Sequence, residues 1–438
     1  MVTPGTIRSV NDPTGDLTTL LDEAATRLAP VLEPTPLVRS ARLSGHFGRD
    51  VYLKREDLQP VRSYKLRGAF NMVAAHFAPG GSRLSPGAPS VVCASAGNHA
   101  QGVAWTCARL EVPATVVLPA RTPKQKRDRI AALGGRWVTI EFVVGVFDDA
   151  AARAGAIAEA TGALLVPAFD HPLVVAGQST LAAEIVAQLP SQLTAPPTLV
   201  LPVGGGGVAA GCVAYLSSQP SVFSGLVLAE PAGAASLLAA RRAGAPVRLE
   251  EIDTFVDGAA TRQVGDLPFA LLREPAGPLP LPVVAVPEGA VAAAMIDLYT
   301  HEGIVAEPAG ALAVAALEHV PGDSPVVALV SGGNNDLSRY GEVVERAMRH
   351  RGLRHYFLVE FPQVPGALRR FLDDVLAPTD DIVLFEYVKR SERETGPALV
   401  GIDVAAPADL DPLLQRLNHS PVEFTLLDPD SSLSRFLL

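Results

Sequence analysis

A chain of 438 residues is too long for one hydrophobic core and long enough for two or three domains. With 48% hydrophobic and 19% charged residues it is globular rather than disordered, and a formal charge of −10 argues against nucleic acid or an anionic membrane as partner. Its cysteines, Cys93, Cys107 and Cys212, lie in apolar runs without metal-ligand spacing, so buried thiols in a reducing, cytoplasmic compartment are expected.

Residues 1–16 are polar and rich in turn formers, which predicts a loose arm with no apolar leader. Helical periodicity runs from Leu17 to about Leu28, with Asp16 as the N-cap. Short β-branched runs then alternate with Ala-rich ones. Strands are predicted at Val51–Lys54, Ser90–Ser95, Ala114–Leu118, Thr198–Val203, Leu226–Ala229 and Val326–Ser331. Helices are predicted at His99–Leu110, Pro123–Leu133 and Val208–Ser217, the second with a basic, solvated face from Arg121 to Arg129. No charge occurs between Glu184 and Glu230, yet Pro190, Pro196, Pro197, Pro202, Pro220 and four glycines break this stretch. It reads as a buried strand, a turn and a buried helix, not as a membrane span. The alternation predicts a doubly wound α/β architecture over 17–340, with a smaller subdomain at about 70–168 inserted in the larger one. Chemistry in such sheets gathers at strand C-termini.

The pattern changes near residue 340. Residues 341–354 read as a charged helical connector. Strand His355–Phe361, helix Pro365–Leu376, strands Asp381–Val388 and Ala398–Val404, helix Asp409–Leu417 and strand Val422–Leu427 follow. That β-α-β-β-α-β order predicts a ferredoxin-like α+β domain over 355–438.

Four motifs carry the chemistry. Ser63-Tyr64-Lys65-Leu66-Arg67-Gly68-Ala69 follows a strand and the polar cluster Lys54-Arg55-Glu56-Asp57. An isolated lysine is ordinarily a solvated one, but desolvation or a nearby cation makes its amine carbonyl-reactive, and Tyr64 can cover a planar ring. Ser95-Ala96-Gly97-Asn98-His99 joins a strand to a helix. Asn98 there is either a cap worth about 1 kcal/mol or part of a carboxylate-binding helix start. Gly204-Gly205-Gly206-Gly207-Val208 lets the main chain approach a phosphate and aim N–H groups at it. It also satisfies a loose dinucleotide fingerprint, with Glu230 ending the next strand. Ser331-Gly332-Gly333-Asn334-Asn335 is a fourth polar, glycine-bearing strand end.

Together these motifs resemble the signature set of the pyridoxal-phosphate β-elimination family, in its biosynthetic threonine dehydratase (threonine ammonia-lyase) branch, from about Leu17 to the C-terminus. Phe357-Leu358-Val359 and Pro365-Gly366 resemble that branch's ACT-like regulatory domain, present here once. The resemblance implies a type II, tryptophan-synthase-β-like fold and pyridoxal 5'-phosphate as cofactor. Position by position, it implies that Lys65 holds the cofactor as an imine and removes the Cα proton. Tyr64 stands where the family has Phe and keeps the ring stacking. Asn98 bonds the ring hydroxyl, Gly204, Gly205, Gly206, Gly207 and Val208 hold the phosphate, and Ser331 bonds the pyridine nitrogen. Ser95, Ala96, Gly97, Asn98 and His99 take the substrate carboxylate. Implied too are threonine as substrate, isoleucine as inhibitory effector with valine opposing it, and a homo-oligomer, most simply a tetramer.

Three rival readings are separable. A serine or threonine racemase needs a second acid on the far face of Cα, which relatives supply as a serine where this chain has Ala96. A nicotinamide-dependent oxidoreductase would use the glycine tetrad with Glu230, and an amino-acid sensor would keep only the C-terminal domain active. No metal is expected, because the partner position to Glu230 holds Ser236. Glu307 is expected near the site without an assigned role.

Overall fold

The computed structural model describes residues 13–77, 90–274, 279–387 and 394–428; most of the arm predicted at 1–16, and Val388, lie outside them. The chain separates into two units, residues 1–336 and 337–438. The first helix begins at Pro13 and ends at Leu28. Asp16 therefore falls inside its first turn rather than at its cap, and proline at a helix start, where an N–H would be unpaired anyway, accounts for the earlier beginning.

The strands of the first unit are β1 (Leu37–Arg39), β2 (Val51–Arg55), β3 (Val91–Ala94), β4 (Ala114–Pro119), β5 (Val138–Val143), β6 (Leu164–Leu165), β7 (Thr198–Pro202), β8 (Gly225–Pro231), β9 (Val283–Val286) and β10 (Val326–Val330). They form a six-stranded sheet of order β1-β2-β10-β7-β8-β9 and a four-stranded sheet of order β5-β4-β3-β6. Only β1 runs antiparallel to its neighbour. Every residue of β7, β8 and β10 is buried, which is why these strands read as unbroken apolar runs. The last strand, β10, inserts between β2 and β7, pairing Val330 with Arg55 and Val326 with Thr198. That crossover brings the ends of β2, β7 and β10 side by side, where ligand-binding crevices form in open α/β sheets.

Helices Lys65–His76, Pro172–Gln188 and Gly207–Leu216 pack at main-chain contact behind this crevice. Glycine makes that possible. A Cβ on Gly177 would lie 2.6 Å from the Arg67 carbonyl oxygen, and one on Gly211 2.5 Å from that of Val175. Small residues at such crossings trade side-chain packing for close backbone approach.

In the second unit, helix Tyr340–His350 precedes β11 (Arg354–Pro362), helix Ala367–Val375, β12 (Asp381–Tyr387), β13 (Thr395–Asp403), helix Leu410–His419 and β14 (Glu423–Leu426). The antiparallel order β12-β13-β11-β14 is the ferredoxin-like arrangement. Phe357, Val359 and Phe361 alternate along β11 into a core with Phe371, Val400, Ile402, Leu413 and Leu417. Arg354 closes the unit's edge with bonds to both oxygens of Asp403 at 2.7 Å and to Glu345 at 2.6 Å.

Candidate active site

Lys65 is the first residue of its helix, so its position is set by what holds Ser63 and Tyr64. Ser63 bridges Gly332 in antiparallel fashion, and the Tyr64 N–H donates to the Ser331 carbonyl at 3.1 Å. Gly333 N–H donates back to the Arg62 carbonyl at 2.9 Å. The first and fourth motifs are thus laced together through their main chains. Lys65 Nζ donates to the Ala168 carbonyl at 3.1 Å and stands 5.3 Å from the Tyr64 ring centre and 5.9 Å from that of Phe169.

Beneath it lies a buried ionic network. Arg67 donates to Glu56 at 2.8 Å and to Glu184 at 2.7 Å, and Lys54 Nζ donates to Glu184 at 2.7 Å. Arg67 and Lys54 are each 1% exposed or less. Burial would raise the Glu56 carboxyl, but the Arg67 guanidinium, together with the Thr35 hydroxyl and Lys54, outweighs it and holds Glu56 below its usual range. The polar cluster after β2 therefore fixes the base of the Lys65 helix to Pro172–Gln188.

The second motif meets the others through helix Asn98–Leu110, whose Gly102 sits against the Lys65 main chain. Gly97 takes the cap position, so Asn98 does not cap. Its Nδ2 donates to Glu307 Oε1 at 2.5 Å, and its Oδ1 accepts from Asn334 at 2.7 Å. Ser95 Oγ accepts from the Gly97 N–H at 3.2 Å, and Ala96 packs against the apolar core of the small sheet. The His99 ring turns inward, donating from Nε2 to the Val166 carbonyl at 2.8 Å; burial pushes its imidazole down to about 4. His99 therefore meets the crevice with its main chain.

The glycine tetrad connects β7 to Gly207–Leu216, and the first-turn N–H groups of a helix have no acceptor within it. Gly206 has φ +88, a left-handed conformation that side chains resist. A Cβ on Gly205 would lie 2.3 Å from the Phe169 ring, the same ring that faces Lys65, and one on Gly204 2.7 Å from the Ala259 main chain. Phe169 thus links tetrad and lysine. Ser331, at the end of β10, is 2% exposed and donates to the Ala309 carbonyl at 3.0 Å.

A reactive-capable amine, an anion-binding glycine turn, an amide and a buried hydroxyl around one crevice fit a planar aldehyde cofactor carrying a phosphate. Glu230 is otherwise engaged: its oxygens accept from Leu237 and Leu238 N–H at 2.6 and 2.9 Å, at the start of helix Ser236–Ala243. Burial pushes its carboxyl up to about 7. That engagement removes the acid on which the dinucleotide reading depended. The basic run is also more than a solvated face. Lys126 pairs with Asp257 at 3.0 Å, Gln125 reaches the Asn335 carbonyl and Arg129 that of Pro60. Ala168, Phe169 and the contacts of Glu307 carried no signal in spacing, because each depends on loops brought together only by the fold; Asn334 stood in the fourth motif without an assigned role.

Comparisons with known proteins agree with this geometry. Residues 28–332 match the family described as pyridoxal-phosphate dependent enzyme, and 345–437 that described as the C-terminal regulatory domain of threonine dehydratase. A biosynthetic L-threonine dehydratase of Mycobacterium tuberculosis is 53% identical, over 95% of each chain. One from Bacillus subtilis is 43% identical, over 92% of this chain and 93% of its own. Among solved structures, a threonine deaminase isoform from Solanum lycopersicum superposes with a TM-score of 0.66 at 34% identity, over 79% of this chain and 98% of that one. Maize serine racemase gives 0.65 at 28% identity, over 76% and 98%. The first unit accordingly has the type II, tryptophan-synthase-β-like fold, followed by a regulatory α+β domain. The chain belongs to the pyridoxal-phosphate-dependent enzymes and, within them, to the biosynthetic threonine dehydratase family.

Proposed function

We propose that the protein converts L-threonine to 2-oxobutanoate and ammonia, accepts L-serine by the same route, and opens isoleucine biosynthesis in the cytoplasm. The observation that carries this reading is the convergence on one crevice of the Lys65 amine, the glycine tetrad and the Ser95–His99 helix start. Bound there, pyridoxal phosphate supplies an electron sink for the charge left on Cα when its proton is removed.

The chain's own residues do the rest. Gly204 to Val208 present main-chain N–H groups to the phosphate. Tyr64 would cover the ring and Asn98 would serve its oxygen, while Ser331 would serve its nitrogen once its hydroxyl turns from the Ala309 carbonyl. Serine is uncharged and does not hold a proton on that nitrogen as a carboxylate would. A ring nitrogen held by serine rather than by a carboxylate would draw charge from Cα less deeply, which would favour loss of the β-hydroxyl. The main chain of Ser95 to His99 orients the substrate carboxylate, and the Lys65 amine takes the proton from Cα. Ala96 offers no acid to return that proton from the other face, which favours elimination over the racemase alternative.

Residues 17–340 are proposed as the catalytic part, with a small subdomain at about 70–168, 341–354 as a connector and 355–438 as the regulatory domain. Isoleucine is proposed as the inhibitor, valine as its opponent and a tetramer as the assembly. An open groove of about 340 Å³ in the second unit, lined by Phe361, Gln363, Leu368, Arg369, Phe385 and Tyr387, supports a small effector with polar and apolar parts, as an amino acid has.

Assay of the keto acids formed from threonine and from serine, with and without isoleucine or valine, tests this. Keto acid and ammonia in equal amounts, with the rate at subsaturating threonine lowered by isoleucine, are expected. Absence of keto acid overturns the catalytic reading. Formation unresponsive to either effector, with no binding by calorimetry, overturns the regulatory one and leaves 355–438 as a structural cap.

A further inference from the structure

Glu307 precedes helix Pro308–Ala315 as its N-cap, but its side chain makes no capping bond. The carboxyl is turned instead into the crevice wall, 5% exposed, where Oε1 accepts from Asn98 Nδ2 at 2.5 Å. Space for it is kept by glycine: a Cβ on Gly332 would lie 2.1 Å from Oε1, and one on Gly258 3.9 Å away. Its main-chain N–H donates to the Gly332 carbonyl at 3.1 Å.

The hydrogen bonds running into Glu307 have a fixed polarity. Asn334 Nδ2 donates to the Val61 carbonyl at 2.8 Å, and a carbonyl only accepts, so the nitrogen of that amide must face Val61. The same nitrogen donates to Asn98 at 2.7 Å, so the oxygen of Asn98 must face Asn334 and its nitrogen Glu307. Neither amide can flip without breaking two bonds. One N–H of Asn98 is spent on Glu307, which leaves the other to donate.

We propose that Glu307 is a positioning residue of the cofactor site, holding Asn98 as a donor toward the cofactor's ring oxygen and tying that contact to its own ionisation. This rests on the reading of Lys65 and Asn98 given above. The charged groups facing Glu307 are Asp257, Lys126 and Lys65. Burial, reinforced by Asp257, pushes its carboxyl up to about 7 against the Asn98 bond and the two lysines. As pH rises through that value the carboxylate forms and grips the Asn98 N–H as a charge-assisted acceptor; as pH falls the grip weakens.

The test is a titration of the full-length protein loaded with pyridoxal phosphate, following cofactor affinity by equilibrium dialysis and the visible absorption band across pH. The wild type should show a step in its band near pH 7. Glu307→Gln keeps an acceptor without a charge, so it should hold the cofactor within about twofold of wild type and lack that step. Glu307→Ala and Asn334→Ala should each weaken cofactor binding by about tenfold, the worth of one well-placed hydrogen bond. A step in Glu307→Gln like that of the wild type, or unchanged affinity in Glu307→Ala and Asn334→Ala, overturns the proposal. Should Glu307→Ala fail to fold, the band of Glu307→Gln and the affinity of Asn334→Ala still decide. A wild type with no band at all removes the underlying cofactor reading, and this proposal with it.

Discussion

Lys65 combines two constraints in one residue: a main chain fixed by the Ser331–Gly333 loop and an amine turned toward Ala168 and Phe169. Replacing the amine should leave those main-chain contacts intact. Lys65→Ala is therefore expected to melt like wild type by circular dichroism while losing all measurable keto acid formation; turnover in that variant, free of wild-type protein, contradicts its assignment. Ala96 makes the complementary case. Product analysis by chiral chromatography should find negligible D-threonine or D-serine from the wild type. Ala96→Ser should introduce a small amount, since it restores the hydroxyl that the racemase reading requires at this position. Substantial D-amino acid from the unmodified protein would restore the racemase alternative.

The ionic network under the Lys65 helix is where element packing and site geometry meet. Arg67→Ala would leave Glu56 and Glu184 in the interior without their shared guanidinium, and loss of one partner from such a buried set costs about 3–5 kcal/mol. Urea melts should show that loss, and a change below about 1 kcal/mol would mean the carboxyls find water instead. His99 gives a pH-dependent counterpart. Its folded value of about 4 lies below the ordinary 6.5, so its contribution is full above 6.5 and is lost as pH falls toward 4. His99→Gln should flatten the decline of stability across that window, and an unchanged slope would contradict the assignment. Much of this level was legible in the sequence. β7, β8 and β10 announce themselves as apolar runs because both their faces are covered, and Tyr340–His350 by its charge and period. The edge strand β1 and the two-residue β6 were not legible, since pairing rather than pattern makes them strands. Likewise Lys65, Asn98 and Ser331 stand in recognisable motifs. Asn334 stands in the same motif as Ser331 and Glu307 was expected near the site, but their roles emerge only when the crossover of β10 brings 331–335 against 61–64 and 98.

At the scale of the whole chain, two units with separate cores carry separate duties in the proposed function. Deleting everything after Arg351 should leave keto acid formation in place and abolish its response to isoleucine, as effectors act only through differential binding to two states. Inhibition that survives the deletion would place the effector site in residues 1–351. The central claim, that this chain works through a cofactor held by Lys65, is tested most directly by borohydride reduction of the loaded, full-length protein followed by peptide mass spectrometry. The expected result is loss of the visible band, with the cofactor's mass fixed to the peptide containing Lys65 and absent from Lys65→Ala. Label on any other lysine, or none in a protein saturated with cofactor, would contradict it.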